Sequence, residues 1–226
     1  MEAFIHAGAA NEVKVDVVSI HSEQLTCDNC AQELKDLHGL LVAPGFGSRG
    51  IEGKISAIKY VRENNIPFFG ICLGMQMAVI EYARNVLGLA TANSTEMDED
   101  TAHPVISLMD EQKNVEDKGG TMRLGAWDCA LTAGSRVQDI YKADDISERH
   151  RHRYELNNAY LTDLTKNGLK VTGVNPKTGL AEIVEIDAHP WFIGVQYHPE
   201  YKSTVLEPHP LFSAFVEACN TYANKK

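Results

Sequence analysis

The stretch FFGICLGMQMA, Phe68–Ala78, sets Cys72 between Gly70 and Gly74, where a short apolar run gives way to helical spacing. A thiol at a strand-to-helix corner can act as a nucleophile. Such a corner forces its residue into a strained backbone conformation with the side chain above the sheet. Neighbouring side chains would collide there, so glycines two before and two after are needed. The corner also lies at a helix N-terminus, where unpaired N–H groups and the helix dipole favour an anion and lower a thiol pKa. A cysteine nucleophile needs a base, and the base needs an orienter. QYHPE, Gln196–Glu200, offers both. The apolar run Trp191–Val195 carries His198 to the sheet edge. Glu200, two residues further along an extended segment, lies on the same side and can hold the imidazole tautomer. Taken singly, each motif also reads as an inert buried cysteine or a surface turn; together they read as a reactive set.

Three further motifs bear on chemistry. APGFGSRG, Ala43–Gly50, is a glycine loop without the Gly-Lys-Ser/Thr of a phosphate-binding loop. It suits an oxyanion hole instead, with the N–H of Gly45 and the N–H of Leu73 facing the carbonyl that Cys72 attacks. ERHRHRYELNN, Glu148–Asn158, if extended, puts Arg149, Arg151 and Arg153 on one face and His150 and His152 on the other. Three cations in a row suit a carboxylate or phosphate ligand, or simply a solvated charged strand. CDNC, Cys27–Cys30, has no second C-x-x-C, and His21 and His38 are poorly placed to complete a zinc site, so no metal is expected. His103, His189 and His209 each precede proline and read as loop or strand-start residues.

The elements that must position these residues alternate. Val13–Ile20, Leu40–Ala43 and Pro67–Ile71 read as strands, and Ile51–Asn65 and Leu73–Leu87 as helices. That alternation predicts an α/β fold with a mostly parallel, doubly wound sheet flanked by helices. Strands at Pro104–Met109, Arg123–Leu131, Gly168–Val174, Ala181–Ile186 and Trp191–Tyr197 add antiparallel character in the second half. Helices are expected at Arg136–Tyr141 and Leu211–Tyr222, and loops at Ala92–Asp100 and Asp110–Gly120. No linker divides the 226 residues, so residues 1–226 read as one domain.

Composition narrows the class. A net charge of −10 argues against a general nucleic-acid binder. The apolar runs are too short to span a bilayer, and Met1–Lys14 does not read as a signal peptide. Five thinly spread cysteines favour a reducing, cytoplasmic setting over a disulfide framework.

Cys72, His198 and Glu200, with PGFG and GICLGMQ, resemble the triad-type (class I) glutamine amidotransferases. NSTE (Asn93–Glu96), GGTMRLG (Gly119–Gly125), RHRHRYE, QYHPE and HPLFSAFVEA (His209–Ala218) narrow the likeness to the glutaminase domain of CTP synthase, over nearly the whole chain. The resemblance implies that Cys72 attacks the side-chain amide of L-glutamine and that His198 and Glu200 complete the triad. It implies that Phe46, Gln76, Glu96 and Arg153 hold the substrate, with Glu96 on the α-ammonium and Arg153 on the α-carboxylate. It also implies a synthase domain, fused upstream or acting in trans, that uses ATP and Mg²⁺ to aminate UTP, activation by GTP, and a homo-oligomer at full length. No cofactor is expected in this chain itself. The chain starts inside what resembles the family's first helix, EAFIHAG (Glu2–Gly8), without the strand before it, so a longer natural chain is expected. Two readings compete: a free-standing γ-glutamyl hydrolase or cysteine peptidase on the same fold, and a non-catalytic module binding anions on the Arg149–Arg153 strand.

Overall fold

A computed structural model of the chain describes residues 1–108 and 122–225. The Asp110–Gly120 loop, Met109 and the Gly119–Thr121 part of GGTMRLG lie outside them. Among the described residues, a seven-stranded sheet runs in the order β1-β2-β10-β9-β8-β5-β6. Its strands are β1 (Leu40–Val42), β2 (Phe68–Ile71), β5 (Arg123–Leu131), β6 (Asp145–His152), β8 (Leu169–Val174), β9 (Ala181–Ile186) and β10 (Phe192–Val195). β2 pairs in parallel with β1 and with β10, and the remaining pairings are antiparallel. A smaller sheet joins β3 (Ala92–Ser94), β4 (His103–Ser107) and β7 (Glu155–Leu156). The fold is the α/β class expected, with a mixed sheet.

Strand alternation explains the two-sided core. Phe68 and Phe192, on neighbouring strands, pack with ring centroids 4.4 Å apart on the face covered by α3 (Ile51–Glu63) and α4 (Leu73–Asn85). The next residues, Phe69 and Ile193, face the opposite way, against α7 (Pro210–Ala223) and α1 (Glu2–Ala10). A strand buried on both faces must read as continuous apolar sequence, as β2 and β10 do.

Three elements depart from the sequence reading. Val13–Ile20 forms no strand; Val13 and Val15 pack against the α1–α7 side, while Val18 is exposed. Its period-2 pattern is present, but a strand also needs a neighbour's hydrogen bonds, and no such pairing exists among the described residues. Ala92–Asp100 is not all loop: its first three residues are β3, parallel to β4, with Ser94 fully buried. The Glu148–Asn158 stretch is not one strand. β6 begins at Asp145 and ends at His152, and Arg153 sits in a bend before β7. Only Arg149 and Arg151 therefore share the exposed face of β6.

The β2–α4 junction is set by clearance. A Cβ on Gly70 would lie 2.7 Å from the carbonyl carbon of Gly74, and a Cβ on Gly74 only 2.2 Å from the Val42 carbonyl oxygen. The two glycines therefore let helix backbone meet strand backbone. Gly74→Ala must push α4 off β1. Overpacking of this kind costs about 1–3 kcal/mol, so the urea midpoint should fall clearly. A midpoint equal to wild type would show that the junction has slack.

Candidate active site

Cys72 is the residue between β2 and α4. It has φ +52° and ψ −104°, in a region that non-glycine residues rarely occupy. Its N–H donates to the Val195 carbonyl at 2.8 Å, which ties the corner to the end of β10. Three residues after Val195 comes His198. Its N–H donates to the Arg149 carbonyl at 2.8 Å, so β6 fixes its backbone.

The His198 ring is held on two sides. Nδ1 lies 2.7 Å from Glu200 Oε1, and the ring stacks on Tyr201 at 5.0 Å with a 10° interplanar angle. A carboxylate only accepts, so Nδ1 carries a proton, and in the neutral ring that tautomer leaves the lone pair on Nε2. Nε2 is buried without a hydrogen-bond partner among the described residues. The His–Glu contact expected from the sequence is present, but the route differs. Residues Pro199–Lys202 form a 3-10 turn, so Glu200 folds back onto the ring instead of lying two places along an extended segment.

The thiol departs from expectation. Burial pushes Cys72 up to about 12. The Leu73 N–H lowers it, as a helix N-terminus should, but the charges of Glu200, Glu155 and Glu96 add to the rise. With Cys72 only 4% exposed, desolvation of the anion outweighs the helix terminus.

The glycine loop closes over this corner. A Cβ on Gly45 would come 3.3 Å from Leu73 Cδ2, so Gly45 borders Leu73, its expected oxyanion partner. Glu96 Oε1 accepts from the Gly47 N–H at 2.8 Å, which pins the loop to the turn after β3. Phe46, between them, is 89% exposed. Arg153 is in the bend after β6, next to Tyr154, whose hydroxyl is pushed up by burial, with the Glu96 charge adding and the Arg153 charge opposing. Gln76, in the first turn of α4, is buried and donates to the Tyr154 carbonyl at 3.0 Å and to Gln196 Oε1 at 3.2 Å. Gly45 therefore adjoins the Cys72–Gln76 helix start, Glu96 adjoins the glycine loop, and Arg153 precedes the residue whose carbonyl Gln76 contacts.

Several residues here escaped the sequence reading. Gln196 Nε2 lies 3.8 Å from Cys72 Sγ. Its place two before His198 in QYHPE was the available signal. Behind the bend, Arg123 donates to Glu155 Oε1 at 3.1 Å and to Glu182 Oε1 at 2.6 Å, all three buried. His150 Nδ1 and His152 Nε2 are 2.8 Å apart, and His152 Nδ1 lies 3.2 Å from the Tyr154 carbonyl. Burial lowers His150 to about 3 and His152 well below its usual value, helped by the Arg123 charge, so both rings are neutral near pH 7. No local sequence signal joins Arg123 to Glu182, 59 residues away.

The remaining candidates stay outside the site. Cys27 is exposed and Cys30 is buried, and both are free thiols. Among the described residues, no three His, Cys, Asp or Glu side chains group to hold a metal, and no helix is long and apolar enough to cross a membrane. His209 lies in the loop before α7, as expected, and caps that helix: its ring accepts from the Leu211 N–H at 3.3 Å.

The family model for class-I glutamine amidotransferases matches residues 1–218, and the chain belongs to that family. It is 67% identical over its whole length to the CTP synthase of Flavobacterium johnsoniae and 65% identical to that of Flavobacterium psychrophilum. In each case the chain spans 42% of the relative's length. Among solved structures it resembles the glutaminase domain of Trypanosoma brucei CTP synthase with bound acivicin, with a TM-score of 0.91 and 40% identity. That match covers 97% of this chain and 86% of the other.

One guanidinium cannot neutralise two buried carboxylates, and Glu155 shows it. Burial raises Glu155 from 4.5 to about 8, with Arg123 opposing and the Glu182 charge adding. The folded state then binds a proton that the unfolded state has released, so stability is full below about pH 4.5 and is lost as pH rises through about 8. Glu155→Gln should flatten the fall in urea-unfolding free energy across this window. An unchanged slope would place the retained proton elsewhere.

Proposed function

We propose that this chain is a glutaminase and forms the glutaminase part of a longer CTP synthase. The observation that carries the reading is the strained Cys72 corner, tied through Val195 to the strand that delivers the His198–Glu200 pair. The whole-length identity to CTP synthases supports the narrower assignment.

The Cys72 sulfur attacks the side-chain amide carbon of glutamine. The N–H groups of Gly45 and Leu73 meet the developing oxyanion. His198 takes the thiol proton on Nε2 and gives it to the departing nitrogen, which leaves as ammonia. The γ-glutamyl group stays on sulfur as a thioester. Water, deprotonated by His198, then attacks that thioester, releases glutamate and restores the thiol. Glu200 holds the ring tautomer throughout. Glu96 meets the substrate α-ammonium and Arg153 its α-carboxylate. The Gln76 amide is turned by its two acceptors so that its oxygen is available to substrate N–H groups. Phe46 shapes the entrance.

The released ammonia passes to a synthase part of the longer protein, which aminates UTP to CTP. ATP with Mg²⁺ would supply the phosphoryl activation in that part, and GTP the regulation. The glycine loop Ala43–Gly50 does not fit ATP, because no Gly-Lys-Ser/Thr follows it. The five free thiols suit a reducing cytoplasm. Homo-oligomer formation belongs to the full-length protein.

Cys72→Ala in the full-length protein should abolish glutamine-dependent CTP formation and spare formation from added ammonia. Joint loss of both, with the fold intact, would refute the division of labour. Glu96→Ala and Arg153→Ala each strand a substrate charge, at about 1–3 kcal/mol or more. Each should lower kcat/KM for glutamine at least about tenfold. Wild-type kinetics in both would remove their assignment. A chain that prefers γ-glutamyl peptides to free glutamine would instead be a γ-glutamyl hydrolase.

A further inference from the structure

The two buried amides beside Cys72 have only one consistent orientation. The Tyr154 main-chain carbonyl is an acceptor that cannot be turned into a donor. The Gln76 amide atom 3.0 Å from it must therefore be nitrogen. That nitrogen's second hydrogen meets the Gln196 side chain at 3.2 Å, so oxygen must be the Gln196 atom facing it. The other end of the Gln196 amide, 3.8 Å from Cys72 Sγ, is then necessarily N–H. A backbone carbonyl thus sets, through two side chains, which atom faces the sulfur. His152 Nδ1, at 3.2 Å, contacts the same carbonyl from behind.

Gln196 is fully buried, and its own N–H donates to the Glu182 carbonyl at 2.8 Å, so its backbone is fixed too. A donor held dry and oriented interacts more strongly with a charge than one in water.

We propose that Gln196 is a catalytic residue: its amide N–H, aimed by Gln76, stabilises the Cys72 thiolate from which attack begins. The inference rests on reading Cys72 as the nucleophile. It answers a problem the site poses, since burial, joined by the Glu200 charge, opposes the anion and only the Leu73 N–H has so far opposed them. Gln196 supplies a second donor.

The test is the pH dependence of Cys72 alkylation by iodoacetamide in the 226-residue chain, read on the Cys72 peptide by mass spectrometry. Sulfur forms a bond to carbon and iodide leaves, so the rate follows the thiolate. Gln196→Met keeps the bulk and removes the donor, and Gln196→Asn withdraws it by one methylene. Each should move the alkylation midpoint up by about one pH unit, a rate loss of about tenfold at fixed lower pH. An unmoved midpoint in either folded variant overturns the proposal. A merely structural role for Gln196 would lower thermal stability and leave the midpoint alone. Should neither variant fold, the unsubstituted chain decides. Its Gln196 side-chain amide resonance should titrate with the Cys72 midpoint, and a flat resonance overturns the proposal. Iodoacetamide carries no glutamine group. A chain with the expected midpoint shifts that hydrolyses no glutamine would therefore sustain this inference and refute the glutaminase reading alone.

Discussion

Everything at this site depends on how closely α4 approaches the sheet. The helix begins at the residue immediately after a strand turns, and its first residues lie against the backbone of β1 and β2. Only Gly70 and Gly74 permit that distance. The cost appears at Cys72, which is held at φ +52° by the strand before it, the helix after it and the hydrogen bond to Val195. The same bond brings β10 alongside, and β10 leads directly to His198. Cys72 and His198 are thus positioned by one parallel strand pair, β2–β10, in a sheet otherwise dominated by antiparallel pairing.

The Cys72 corner is buried, and burial acts in both directions. It opposes the thiolate, whose protonated form is favoured by burial and by nearby carboxylates. It also strengthens every fixed donor that can reach the sulfur. The polar cluster behind the bend is governed by the same balance. Arg123 serves both Glu155 and Glu182, one carboxyl retains a proton, and the neutral pair His150–His152 supports the Tyr154 carbonyl. That carbonyl in turn orients Gln76. The arginines read from the sequence as one cationic face are separated: Arg149 and Arg151 face solvent, while Arg153 lies beyond the end of β6, in the bend before Tyr154.

The parts legible in the sequence were those with local causes. Glycines flanking Cys72 report a steric requirement within five residues, and His198 with Glu200 report a contact two residues apart. The helices α3, α4 and α7 carry their own periodicity. Where the cause was distant, the sequence was silent or misleading. Val13–Ile20 has strand periodicity, yet no described strand pairs with it. Ala92–Ser94 looks like polar loop, and becomes strand because β4 lies beside it. Arg123, Glu155 and Glu182 meet only after β5, β7 and β9 are assembled. The thiol pKa follows the same division: the helix terminus that lowers it is a local feature, whereas the burial that raises it is a property of the whole fold.

The central claim is that Cys72 carries the γ-glutamyl group during turnover. The most direct measurement is an acid quench of the protein during steady-state glutamine hydrolysis, followed by peptide mass spectrometry. The account predicts a γ-glutamyl adduct confined to the Cys72 peptide, which disappears once glutamine is exhausted. Ammonia release at full rate with no adduct on Cys72, or with the adduct on another residue, would contradict it.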